Sequence, residues 1–277
     1  MPYALADVVN HLKVLPPFPK VAAKLLRLLD DNTVSVEQLA SVIASDPGLV
    51  LKVIHIANSP FYMCARRIES IRDAVLVLGI NSIKGLTTAV SVQQGLSKLR
   101  PQTKEFDSTS FWKHSYATAI AVARRASAEA PAMRDKLYLV GLIHDIGKLI
   151  QAFYWPDGWA ATVNMSRSER IPYEEAEHRV FGFGHYKIAI EVCTSWQFPD
   201  EMVALLKQLS QAETAGSDDI GPSGRMLHRA HLCVNLLGYR CPPGDIVRPP
   251  EEEETIESGF SEELANEVEY QLRILER

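Results

Sequence analysis

The sequence predicts an all-α protein, a helical bundle in two parts. Three observations carry the prediction. Apolar residues recur at three- and four-residue spacing, and no stretch keeps the two-residue alternation of a half-buried strand. Helix-start signals recur along the first hundred residues: Ser35 with Gln38 three residues on, Asp46 followed by Pro47, and Ser70 ahead of an apolar run. The breaks between these runs are short and rich in Pro, Asn and Gly, as in the connections of helical bundles.

Taken in order, residues 2–13 read as a short amphipathic helix with Leu5, Val8, Val9 and Leu12 on one stripe. Leu15-Pro16-Pro17-Phe18-Pro19 breaks it, and Pro19 opens a second helix that carries Val21, Leu25, Leu28 and Leu29. Ser35 caps a helix through Leu39, Val42 and Ile43. Asp46 caps the next, through Leu49, Val50, Val53, Ile54 and Ala57, and Asn58-Ser59-Pro60 stops it. Ser70 caps a short helix ending at Gly79, and Asn81 is the expected cap of one reaching about Leu96. Arg100-Pro101-Gln102-Thr103 is a polar break.

A long helix then runs from Phe111 to about Ala128. Its alanines (Ala117, Ala119, Ala121, Ala123, Ala126) let another helix approach closely, which suits a central position. An apolar helical run follows over Leu137–Ile150, residues 155–171 form a connector, and Pro172–Phe181 is a helix with an acidic first half (Glu174, Glu175, Glu177). Further helices are expected after His185, over 200–211, and over Met226–Leu237 beyond a loop from Gly216 to Gly224. Pro249-Pro250 and Glu251–Glu254 make a polar linker, and Ser261, Leu264, Val268, Leu272 and Leu275 mark a final amphipathic helix. The expected organisation is an N-terminal helical subdomain over 1–104, a second over 105–244, and a linker with a C-terminal helix over 245–277.

Composition narrows the function classes. A formal net charge of -5 argues against nucleic-acid binding, because a phosphate backbone needs a basic face. No apolar run approaches the roughly 20 residues that span a bilayer, and the N-terminus, with Asp7 in its first turns, does not read as a signal peptide. Cys64, Cys193, Cys233 and Cys241 are scattered without a CxxC pair, which excludes zinc-ribbon and thioredoxin readings. The expected setting is cytoplasmic, with no membrane partner.

The chemistry concentrates on one stretch, Gly141-Leu142-Ile143-His144-Asp145-Ile146-Gly147-Lys148. An isolated His-Asp pair in a helix needs no ion, since both side chains can bond neighbouring backbone. Other groups change the picture. His114, His185 and one of His228 or His231 lie on separate expected helices or helix starts, and bundles build metal sites from inward side chains on facing helices. Imidazoles with one carboxylate suit Fe, Mn, Ni or Zn. The candidate metal ligands are therefore His114, His144, Asp145, His185 and one of His228 or His231. Lys148 is a phosphate partner or a solvated cation, and Gly147 leaves room for a ligand or a second helix. His55 has no acidic or Cys partner at ligand spacing and reads as a satisfied histidine.

His114 followed thirty residues later by His144-Asp145 resembles the HD superfamily of metal-dependent phosphohydrolases. Leu15-Pro16-Pro17-Phe18-Pro19, Asp46-Pro47-Gly48-Leu49, Ala57-Asn58-Ser59, Ile71–Gly79, Trp112-Lys113-His114 and Trp196-Gln197-Phe198-Pro199 resemble the HDOD family, the HD-related output domain, over about residues 12–238. The resemblance implies an all-α, two-part domain of bacterial signalling proteins, with an HD-like second part and a regulatory protein partner. It implies a module that acts by protein or ligand binding without hydrolysis. The alternative it leaves open is a phosphohydrolase with Asp145 and Lys148 as its catalytic residues.

The sequence departs from many HDOD members at one place and from the enzymes of the superfamily at another. His231, in Arg229-Ala230-His231-Leu232, stands where those enzymes carry an Asp, and the His-His pair that many HDOD members carry is replaced by Leu206-Lys207-Gln208-Leu209-Ser210. Gly238-Tyr239-Arg240-Cys241-Pro242 only echoes the Gly-Tyr-Pro signature of the cyclic-dinucleotide hydrolases.

Overall fold

A computed structural model describes residues 19–29, 31, 33–62, 64, 66–215, 220–245, 264, 266–270 and 273. Every regular element among them is helical, and the fold is all-α. No single helix among the described residues is long and apolar enough to cross a membrane. The expected helix over 2–13, the residues 15–18, the linker 249–254, and Ser261, Leu272 and Leu275 lie outside the described residues.

The chain divides into two compact units, with the division at Lys98/Leu99. Among the described residues, the first unit holds 19–98 together with the C-terminal residues 264–273, and the second holds 99–245. The division thus falls just before the Arg100–Thr103 break. The C-terminal stretch belongs with the first unit.

The first unit contains α1 (Lys20–Leu29), α2 (Val36–Ala44), α3 (Pro47–Ala57), α4 (Ile71–Leu78) and α5 (Ile80–Leu96). Ser35 and Gln38 close a reciprocal capping box on α2. The Asp46 carboxylate accepts the Leu49 N–H at 3.1 Å, and Pro47 takes the first position of α3, where its missing N–H costs nothing. Asn58 fixes the exit: its amide donates to Ile54 O and Ile68 O, and its carbonyl accepts from Ile68 N. Ser70 caps α4 through Asp73 N. The start of α5 differs from expectation. It begins at Ile80 with Gly79 as its cap, not Asn81, because Gly79 takes φ +86° between two helices and only glycine does so freely. Helix α5 is buried on nearly all sides, and its Lys84 ammonium ends on the Asp31 carbonyl at 3.0 Å. From the C-terminal stretch, Leu264 and Val268 are buried and the Tyr270 hydroxyl donates to His55 O at 2.9 Å.

The second unit contains α6 (Ser108–Glu129), α7 (Arg134–Ile143), α8 (Ile146–Tyr154), α9 (Pro156–Glu169), α10 (Tyr173–Phe181), α11 (His185–Ser195), α12 (Asp200–Ala215) and α13 (Pro222–Leu236). Helix α6 is its axis, buried on most sides from Phe111 to Ala126, with α7 and α13 packed along it. The alanines matter as expected: a Cβ on Gly141 of α7 would stand 2.8 Å from Ala119 Cα. Helix α6 starts three residues before Phe111, because Asp107 accepts the Thr109 N–H and caps it.

Two expected segments are corrected. The run Leu137–Ile150 is not one helix, because α7 ends at Ile143 and α8 starts at Ile146. The connector 155–171 is largely the helix α9, opened by Pro156 and ended by Arg170 at φ +56°. In addition, α13 begins at Pro222, inside the expected loop, and α12 runs on to Ala215.

Candidate metal centre

The break between α7 and α8 creates the site. Asp145 takes φ −92°, ψ +10°, the bridge region between helix and strand, and holds the N-cap position of α8. Its side chain bonds none of the helix's free N–H groups and turns inward. The positive end of the α8 dipole lies behind the carboxylate. A straight helix would have pointed His144 and Asp145 about 100° apart.

Four side chains converge on this point. One donor atom from each of His114 (α6), His144, Asp145 and His231 (α13) lies within 4.8 Å of the other three, and all four residues are at most 4% exposed. Two of the imidazoles are aimed by backbone carbonyls. His114 Nδ1–H donates to Tyr239 O at 2.8 Å and His144 Nδ1–H to Gly141 O at 2.7 Å. With Nδ1 committed, the two Nε2 atoms face each other at 3.1 Å. Two imidazole lone pairs at that distance repel, so the arrangement calls for a proton or a metal ion beside them.

Both Asp145 oxygens are buried and neither accepts an aligned hydrogen bond. Their neighbours are all nitrogen: His114 Nε2 at 3.3 Å, His144 Nε2 at 3.4 Å, His185 Nε2 at 3.2 Å and Lys148 Nζ at 3.0 Å. This donor set fits a first-row divalent ion. His231 completes it. Its ring lies 5.1 Å from that of His114 and 4.9 Å from that of His144, and its Nε2 accepts from the Asn235 amide at 2.9 Å.

Electrostatics keeps the gathered donors in the form a metal ion would need. Burial pushes His144 down to about 3, against the pull of Asp145, and burial with the neighbouring His144 and His114 pushes His231 well below the ordinary histidine range. Both are therefore neutral near pH 7, and neutral imidazole is what binds metal. Burial alone would raise the Asp145 carboxyl, but His144 and Lys148 outweigh it and hold the group well below its usual value. Lys148 is held above the usual amine range for the reciprocal reason: Asp145 and Glu174 overcome its burial.

His185 plays a different part. It is not one of the four residues whose donor atoms gather. Its Nδ1 lies 2.9 Å from Glu177 Oε2 and its Nε2 faces Asp145 Oδ1. Burial opposes its charge, yet Glu177 raises it to about 10, so it is an imidazolium near neutral pH and has no lone pair to offer. Glu177 in turn accepts from Gln151, which takes the Tyr173 hydroxyl at 3.0 Å. Gly147 allows this arrangement: a Cβ there would fall 2.0 Å from His185 O. Lys148 also donates to Cys241 O at 3.1 Å, over the Tyr173 ring. His228 stands outside the cluster, as does His55.

Three contributors are not evident from sequence. Glu177 sits in the acidic first half of its helix, and only its four-residue spacing from both Tyr173 and Phe181 marks it as inward. The carbonyls of Tyr239 and Cys241 carry no side-chain signal at all.

The all-α body thus brings a buried histidine, His114, against the His144-Asp145 couple at a helix break. The HDOD domain model matches residues 15–212, and the chain belongs to that family. Among solved structures, it is similar to an HDOD domain protein of unknown function from Geobacter sulfurreducens (TM-score 0.74, 21% identity, 98% of this chain and 92% of that one). It is also similar to a candidate phosphohydrolase from Shewanella amazonensis SB2B (0.73, 21%, 98% of each). A third is a candidate signal transduction protein from Marinobacter aquaeolei VT8 (0.68, 22%, 100% and 62%). At these identities the likeness establishes the fold. An uncharacterized protein of Treponema pallidum (strain Nichols) is 20% identical over 205 residues; they cover 73% of this chain and 39% of that protein, so the chain spans about two fifths of the relative's length.

Proposed function

We propose that this chain is a regulatory HDOD module that holds a divalent metal ion at His114, His144, Asp145 and His231 and works by binding a protein or ligand, without hydrolysis. The carrying observation is the closure of the cluster: four protein donors gather within 4.8 Å and none is more than 4% exposed. Closed sites with four protein ligands are structural, whereas hydrolytic sites keep a position open for water. His231 in place of an Asp goes with this reading, since it exchanges an oxygen donor for a nitrogen donor and removes a negative charge. So does Lys148, whose ammonium is already held by Asp145, Glu174 and the Cys241 carbonyl. The ion would be Fe, Mn, Ni or Zn, would neutralise the carboxylate and the facing lone pairs, and would fix α6, α7 and α13 to one another. A regulatory protein partner and a cytoplasmic setting belong to the same reading.

A second reading, a metal-dependent phosphohydrolase, is favoured by one observation. Lys148 Nζ stands 3.0 Å from Asp145 Oδ2, where a cation could meet a phosphoryl oxygen next to a bound ion. The test is elemental analysis of protein purified without chelator or His-tag, with a phosphodiester assay in Mn, Fe, Ni and Zn. The module reading expects stoichiometric metal, lost in Asp145→Ala, and no turnover. Turnover that Asp145→Ala abolishes would replace it with the enzyme reading.

A further inference from the structure

The loop after α13, residues 237–245, has the cluster's only two backbone acceptors outside α7 among the bonds described above. Tyr239 O takes His114 Nδ1–H at 2.8 Å, and Cys241 O takes Lys148 Nζ at 3.1 Å. Its far end is tied down where Asp245 Oδ1 accepts the Tyr173 N–H at 2.9 Å. The loop leaves α13 through a Schellman turn, in which Gly238 N–H bonds Asn235 O and Tyr239 N–H bonds Val234 O. Gly238 at φ +91° and Gly244 at φ +82° bracket it. Cys241, Pro242 and Asp245 face inward and are buried, while Gly238, Pro243 and Gly244 are exposed.

One side chain spans this loop. Arg240 Nε donates to Asn235 O at 2.9 Å and its Nη1 to Asp245 O at 2.8 Å. The planar guanidinium thus joins the end of α13 to the last residue of the loop, and such charge-assisted bonds are about twice as strong as neutral ones. Between the two joined points lie the carbonyls that aim His114 and Lys148.

We propose that Arg240 is a positioning residue for the metal centre, acting through the loop 238–245, which it holds closed over His114 and Lys148. The inference rests on the metal reading for its ligand but not for its geometry. With Arg240 in place, the Tyr239 carbonyl stays on His114 and the ion stays enclosed. Without it, the loop swings on its two glycines, His114 loses the acceptor that fixes its ring, and the ion escapes. The Tyr239 carbonyl is the group bonded directly to His114; losing such a partner changes metal affinity by about 10–100-fold, and Arg240 acts through the loop that carries it.

The test loads the full chain with Co(II) and reads its visible absorption and the rate of transfer to EDTA. Arg240→Met keeps the aliphatic stem and should release cobalt about 10-fold faster or more, with a shifted spectrum. Arg240→Lys, able to restore one of the two bonds, should fall between. Arg179→Met, which removes an exposed pair with Glu169 and Glu175, is the control for general destabilisation and should release as wild type does. Release from Arg240→Met at the wild-type rate overturns the proposal. If wild-type protein takes up no cobalt, the metal reading fails, and the loop is judged by amide exchange instead. Residues 239–245 should exchange faster in Arg240→Met than in wild type; equal protection overturns the positioning role.

Discussion

Replacing Gly147 by alanine tests how tightly the second unit is built around Asp145. Two effects oppose each other. Alanine favours a helix over glycine by about 1 kcal/mol, so a residue in the first turn of α8 gains at most that. Against it, the new Cβ would stand 2.0 Å from His185 O, 2.7 Å from its C and 3.0 Å from its Cα. All three are backbone or carbonyl atoms at the start of α11, which no rotamer change can move. The two helices would have to part by more than an ångström. Overpacking of this kind costs about 3 kcal/mol at the upper end of its usual range. The net loss is about 2 kcal/mol, a fall in melting temperature of about 4–8 °C for a unit of this size. The displacement also draws His185 off Asp145 and Glu177. Thermal unfolding by circular dichroism reads the first effect and metal content the second. A variant as stable as wild type, or more stable, would refute the close-approach argument, since only the helix-propensity gain would then be acting.

Two further substitutions probe other groups. Glu177→Gln removes the carboxylate that accepts from His185 and Gln151 in a fully buried place, and should cost about 2–3 kcal/mol, read as a lower urea midpoint; an unchanged midpoint would mean His185 is held by something else. His228 is held below the ordinary histidine range, by burial first and by Arg229 second. The folded chain therefore resists a proton that the unfolded chain accepts at about pH 6.5, so His228 lowers stability as pH falls below that value and not above it. His228→Gln should raise the urea midpoint at about pH 5 and leave it unchanged at about pH 8; an equal change at both would sink this account.

Much of this was legible along the chain, and the failures have physical causes. Ser35 with Gln38, and Asp46 with Pro47, cap helices as read, because capping depends on residues three apart and little else. His114, His144, Asp145 and His231 stand out by residue type on helices that must pack, and the structure brings their donor atoms together. The break at His144-Asp145 was not legible. Apolar residues run on through Ile146, Leu149 and Ile150, and burial follows the same three- and four-residue pattern whether or not the helix is continuous. Helix α9 hides for the opposite reason: Asp157, Gly158, Asn164 and Ser166 dilute its apolar face, which is held by Trp159 and Val163 against neighbours that sequence does not reveal. His185 reads as a ligand by type. That it is an imidazolium instead depends on Glu177, eight residues away across a turn at Gly182.

The C-terminal residues have a consequence for synthesis. Leu264 and Val268 are buried in the unit whose other described residues end at Lys98. A ribosome adding about 5–20 residues per second needs on the order of ten seconds or more to travel between those points. For that interval the nascent first unit lacks a piece of its own interior, and the whole second unit emerges before the missing piece does. Chains truncated ahead of Leu264 would leave apolar surface on the first unit bare, a natural handle for chaperones and proteases that inspect unfinished proteins.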